Sequence, residues 1–109
     1  MSTSEIIAEL AGGTAFAPMH PGELLREDIL PALGISVSEM ADHLGVSRQT
    51  LHMILAERAA VKPAMALRLG KLCGNGADLW LTLQNRWDLA TLGAAMRDEL
   101  DRIPTLTAA

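Results

Sequence analysis

Between Ile35 and Leu55 the chain reads ISVSEMADHLGVSRQTLHMIL, and its caps, small residues and apolar residues fall where two short helices joined by a tight turn need them. Ser36 followed by Glu39 is an S-x-x-E capping box, which satisfies two orphan backbone donors and starts a helix near Val37. The buried side of that helix is expected at Met40, Ala41 and Leu44, with Ala41 small enough to let a second helix cross closely. Gly45 ends it, because the left-handed backbone that closes a helix is free of steric cost only for glycine. Val46 fills the corner and Ser47 caps the second helix, whose inward residues at helical spacing are Leu51, Ile54 and Leu55. Arg48, Gln49, Thr50, His52 and Met53 are left outside. In a helix-turn-helix the second helix lies in the major groove of duplex DNA with its N-terminal residues against base edges, so these five side chains are the ones presented for reading. The alternative is a pair of ordinary amphipathic helices whose polar face is simply solvated.

Charge favours the first reading. The 109-residue chain carries 9 Lys and Arg against 13 Asp and Glu, a formal net charge of −4. Yet the stretch from Arg48 to Lys71 holds Arg48, Arg58, Lys62, Arg68 and Lys71 against Glu57 alone. Binding to phosphates depends on local charge, so a basic surface on an acidic body suits selective DNA binding better than general coating of nucleic acid. The acidic remainder leaves surface for a basic protein partner.

The length is that of one domain, and 50% hydrophobic residues supply a single compact core. The opening MSTSEIIAELAGG lacks the basic region and apolar run of a signal peptide, and no stretch is apolar enough to span a membrane. A cytoplasmic protein is expected. One cysteine, Cys73, permits neither an internal disulfide nor a cysteine-based zinc site, and its apolar neighbours make it a small buried hydrophobe. His20, His43 and His52 lack metal-ligand spacing, and no phosphate loop or nucleophile elbow is present, so neither a metal, a cofactor nor an enzymatic activity is expected. With no Tyr, one Phe and two Trp, the chain also lacks the stacking platform of single-strand and RNA binders.

Three segments are expected. Residues 1–18 form a flexible arm with a short amphipathic piece around Ile6, Ile7 and Leu10, residues 19–92 the DNA-binding domain, and residues 93–109 a C-terminal helix and tail. Order begins at His20-Pro21-Gly22-Glu23, and the first helix, with Leu24, Leu25 and Ile29 inward, is closed by Pro31 and Gly34. A fourth helix starts near Pro63, with Ala66, Leu69 and either Leu72 or Cys73 inward, and ends at Gly74. The next covers Ala77 to Leu92 with Leu79, Trp80, Leu83, Trp87 and Ala90, and a final one runs from about Gly93 to Arg102. Period-2 alternation is absent, so the fold class is all-α with five to six helices.

The run from His20 to about Asp88 resembles the HigA-type antitoxins, a branch of the Xre or lambda-repressor-like helix-turn-helix proteins. The matching parts are HPGE (His20 to Glu23), LREDILPALGIS, GVSRQTLHMIL, PAMALRLGKLCG and WLTLQNRWDL (Trp80 to Leu89), in that order and spacing. The resemblance implies a five-helix core of the cro/C1 type, a dimer, repression of the chain's own operon, and neutralisation of a RelE/HigB-like mRNA endonuclease toxin. It places base reading on Arg48, Gln49 and Met53, with Ser47 and Thr50 near phosphates. His52, Arg58 and Lys62 are further candidates for contact with phosphate or base. One departure stands out: where the family usually has an Asn-Gly turn after the recognition helix, this chain has Ala56-Glu57. Neither residue favours the left-handed region, so either the helix runs on or Glu57 is strained.

A dimer has its own expected seam. Trp80, Leu83, Trp87 and Leu92 form a broad apolar stripe that either joins two subunits or, in the alternative, caps the core of one. Two copies would read an inverted-repeat operator. The competing functions are a stand-alone regulator of the same fold without a toxin, and a protein-interaction module that has lost DNA binding.

Overall fold

A computed structural model describes residues 17–108. The expected arm lies outside the described residues apart from Ala17 and Pro18, and so do Ile6, Ile7 and Leu10. Among the described residues there are six helices and no strand: α1 over residues 21–33, α2 Val37–Leu44, α3 Arg48–Leu55, α4 Pro63–Cys73, α5 Ala77–Ala95 and α6 Arg97–Asp101.

Helix α1 is not closed by Pro31, as the sequence suggests. It runs as Pro21–Leu24, widens into a π-helical turn at Leu25–Ile29 and resumes as Leu30–Leu33, ending in Gly34 with φ 65°. The Leu30 N–H donates five residues back to the Leu25 carbonyl. A proline inside a helix removes one donor and crowds the preceding turn, and a π turn just upstream shifts the register so that the helix passes through it. Helix α2 has both halves of its capping box, Glu39 N–H to Ser36 Oγ at 3.1 Å and Ser36 N–H to Glu39 Oε1 at 3.3 Å. It stops at Gly45, φ 71°, where the Val46 and Gly45 N–H groups return to the Ala41 and Asp42 carbonyls.

The core gathers Leu24, Leu25, Ile29, Met40, Leu51, Leu69 and Trp80, all wholly buried, with Ala41, Leu44, Ile54, Ala66 and Leu83 around them. Helix α5 corrects the expected boundary at Leu92 and Gly93. It continues unbroken to Ala95, and only Met96 separates it from α6. The apolar stripe also divides. Trp80 and Leu83 belong to the chain's own core, whereas Leu89 is 74% and Leu92 55% exposed and Ala90 is exposed. Trp80 and Leu83 are therefore not available as a seam between subunits, because a side chain already sealed in one core has no surface left for a second. Trp87 lies between these cases, half-buried with its ring edge-on to His20 at 5.7 Å.

His20, against Trp87, is a buried polar side chain. Its Nδ1 accepts the Gly22 N–H at 2.9 Å and so caps α1. Burial pulls its pKa below the usual 6.5 and Arg26 adds to that, while Glu57, Asp88 and a hydrogen bond to the Ala59 backbone push the other way. Protonation at Nδ1 would remove the cap's acceptor. With the folded pKa below the unfolded one, the unfolded chain takes up the proton first, so stability is fully present above the unfolded value and falls as pH drops toward the folded value. Urea unfolding at neutral pH and about one unit below the ordinary histidine pKa is expected to give a lower midpoint in the acidic buffer. In His20→Asn, which keeps a cap acceptor without the titration, that drop should shrink; an equally steep drop would assign it to other groups.

Candidate nucleic-acid interface

Helix α3 is built to show one face. Leu51, Ile54 and Leu55 are buried, and Arg48, Gln49, Thr50, His52 and Met53 are exposed on the other side. Its N-terminus is fixed by Ser47, whose Oγ accepts the Thr50 N–H at 3.0 Å and donates to Thr50 Oγ1 at 2.8 Å. The hydroxyls of Ser47 and Thr50 are thus joined at the start of the helix, with the helix's unpaired N–H groups and positive dipole end beside them, a setting suited to a phosphate. Arg48 leans toward α2, its Nη1 3.5 Å from Ser38 Oγ. Arg58 and Lys62 are exposed on the loop that follows α3.

Within the basic stretch, Arg68 has a partner in the fold itself. Arg68 donates from Nη1 to the Leu44 carbonyl at 2.6 Å, closing the C-terminal end of α2. Together with His43, Leu67, Lys71 and Leu72 it lines a shallow groove between α2 and α4, so Arg68 serves the turn of the helix-turn-helix. Among the described residues no group of three or more His, Cys, Asp or Glu could hold a metal, and no helix is long and apolar enough to cross a membrane. The Cys73 thiol is buried and its pKa is pushed up to about 11, which leaves it un-ionised and unreactive at neutral pH.

The helix-turn-helix family model matches residues 25–80, which include all of this unit. The sequence is 37% identical over 79 residues to virulence-associated protein I of Dichelobacter nodosus, covering 72% of this chain and 73% of that protein. It is 31% identical over 72 residues to antitoxin HigA-1 of Vibrio cholerae, covering 66% and 68%. The solved structure of Pseudomonas aeruginosa antitoxin HigA with the higBA promoter superposes with a TM-score of 0.77 at 36% identity, over 83% of this chain and 99% of that one. The chain belongs to the HigA-type helix-turn-helix family. It has the lambda-repressor-like fold and is a DNA-binding regulator, not an enzyme.

Three residues that support the interface in this HigA-type chain escape a reading of the sequence. Gln84 is 4% exposed, accepts the Val61 N–H at 2.8 Å and donates to Asp88 Oδ1 at 2.9 Å, tying the loop after α3 to α5. Arg68 closes α2 as described. Arg26 reaches the C-terminal end of α3 from α1, donating to the Leu55 carbonyl. The bonds to Val61, Leu44 and Leu55 each join residues more than twenty positions apart, and no local pattern announces them. The one signal in the sequence is the Ala56-Glu57 pair, whose unsuitability for a left-handed turn marks a place where something else must help.

Proposed function

We propose that the chain is a dimeric repressor of its own operon in the bacterial cytoplasm and the antitoxin of a RelE/HigB-like mRNA endonuclease. The observation that carries this is the outward face of α3, where Arg48, Gln49 and Met53 stand exposed on a helix capped at its reading end. Arg48 and Gln49 read base edges, since Arg pairs bidentately with guanine and Gln with adenine, and Met53 adds apolar contact. Ser47, Thr50, His52, Arg58 and Lys62 contact phosphates or flanking bases. The dimer seam uses Leu92 with Leu89 and the exposed apolar residues beyond, rather than Trp80 and Leu83. Residues 19–92 carry the DNA-binding function and the segment after them the pairing. A stand-alone regulator of the same fold without a toxin is the second reading.

Two copies related by a two-fold axis place their recognition helices on half-sites about 10 to 10.5 base pairs apart, or a multiple of that, on an inverted repeat. Light scattering of the free protein should give a dimer, and footprinting on its own promoter should protect two symmetric half-sites. A monomer protecting one asymmetric site refutes the proposal. Co-expression with the neighbouring reading frame decides between the two readings: a small basic RNase that co-purifies and loses activity supports the antitoxin, and its absence leaves the regulator.

A further inference from the structure

Helix α1 meets the recognition helix at the end remote from Arg48 and Gln49. Gly22 approaches so closely that a Cβ there would stand 1.9 Å from the Ile54 carbonyl oxygen. One helical turn further along α1, Arg26 donates from Nη1 to the next carbonyl, that of Leu55. The same guanidinium reaches Glu57 Oε2 from Nη1 and Nη2, both at 3.4 Å, while its Nε is held by Glu27 at 2.9 Å.

The turn gripped in this way is an unusual one. Arg58 N–H returns to the Met53 carbonyl at 2.9 Å and Glu57 N–H to the Ile54 carbonyl at 3.0 Å, the two bonds of a Schellman ending. That ending needs a left-handed residue where Glu57 stands, and Glu57 has φ 62°, alone among the described non-glycine residues in having positive φ. A side chain in that region crowds its own backbone, and it persists only where the surroundings hold it.

We infer that Arg26 is a positioning residue for DNA reading: by binding the Leu55 carbonyl and the Glu57 carboxylate together, it holds the end of α3 in the turn that glycine would adopt unaided. The consequence lies at the opposite end of the helix. A rigid helix anchored at Leu55 transmits that anchor to Arg48 and Gln49, and base contacts tolerate little displacement. Arg26 acts through α3 and makes no phosphate contact. This rests on the DNA-reading role given to α3.

The test compares the parent with Arg26→Ala, Arg26→Lys and Arg26→Ala/Glu57→Gly. Fluorescence anisotropy is recorded over a range of salt on a duplex of the chain's own promoter and on a scrambled duplex of equal length, and amide hydrogen exchange is followed at Glu57 and Arg58 in the free protein. Arg26→Ala is expected to weaken promoter binding on the order of tenfold, as for disturbance of one base contact, with scrambled binding and the salt slope unchanged and faster exchange at both amides. Arg26→Lys, which keeps the charge and loses the fork, should fall between. Adding Glu57→Gly should restore promoter affinity, because glycine needs no clamp. A shallower salt slope without rescue would make Arg26 a phosphate contact and overturn the inference. Faster exchange with unchanged promoter affinity would also overturn it, leaving a purely structural brace. If the parent itself shows no preference for the promoter, the DNA reading fails separately, and unchanged exchange at Glu57 and Arg58 would then remove the clamp as well.

Discussion

Replacing Arg48 by alanine is expected to cost operator binding ~2–6 kcal/mol per dimer, since a good bidentate base contact is worth ~1–3 kcal/mol and a two-fold complex makes it twice. Even the lower figure is a loss of roughly 30-fold. The side chain stands exposed on the first residue of α3, the end of a recognition helix that meets base edges. Anisotropy with the promoter duplex and a scrambled duplex separates the roles. A loss confined to the promoter marks a base reader, whereas an equal loss on both would show that Arg48 touches only the backbone. Gln49→Ala should follow the same pattern at a different base pair, as its amide suits adenine.

The second large effect is on stability. Trp80→Ala is expected to destabilise the fold by ~3–5 kcal/mol, the usual range for removing a large aromatic side chain from a core. Trp80 is wholly buried and its Nε1 donates to Asn75 Oδ1 at 3.2 Å, which secures the turn between α4 and α5. Trp80→Phe keeps most of the volume and should cost less, but it strands Asn75 Oδ1 beside an Nδ2 that has no partner among the described residues. Urea unfolding measures both. The same variants examined by light scattering decide what the tryptophan is for: an unchanged urea midpoint with a dissociated dimer would return Trp80 to the subunit seam. By contrast Leu92→Glu, at an exposed site, should leave the fold intact and act on pairing alone.

The helix-turn-helix is legible in the sequence because everything that specifies it is local. Ser36 and Glu39, Gly45, and Ser47 with Thr50 each act within three to five residues along the chain, where covalent connectivity already holds the partners close and the hydrogen-bond geometry follows from residue type. The exposed face of α3 follows from the same periodicity that buries Leu51, Ile54 and Leu55. At Ala56-Glu57 the residue types leave two outcomes, a longer helix or a strained Glu57, and the structure takes the second, with φ 62°.

Only the tertiary structure decided what covers each apolar face and which distant groups meet. Periodicity marks Trp80, Leu83, Trp87 and Leu92 as one stripe but carries no information about where the core ends, and the packing of α4 against the first half of α5 takes Trp80 and Leu83 while leaving Leu92 in solvent. Pro31 reads as a stop, yet a π turn carries α1 through it, because a helix held along its buried face can widen one turn more cheaply than it can break. The bonds from Arg26 to Leu55, Arg68 to Leu44 and Gln84 to Val61 join elements whose proximity arises only when the helices cross. Their donors and acceptors are common residue types with no preferred separation in sequence, so the chain determines its reading helix locally and the fold alone determines how that helix is held.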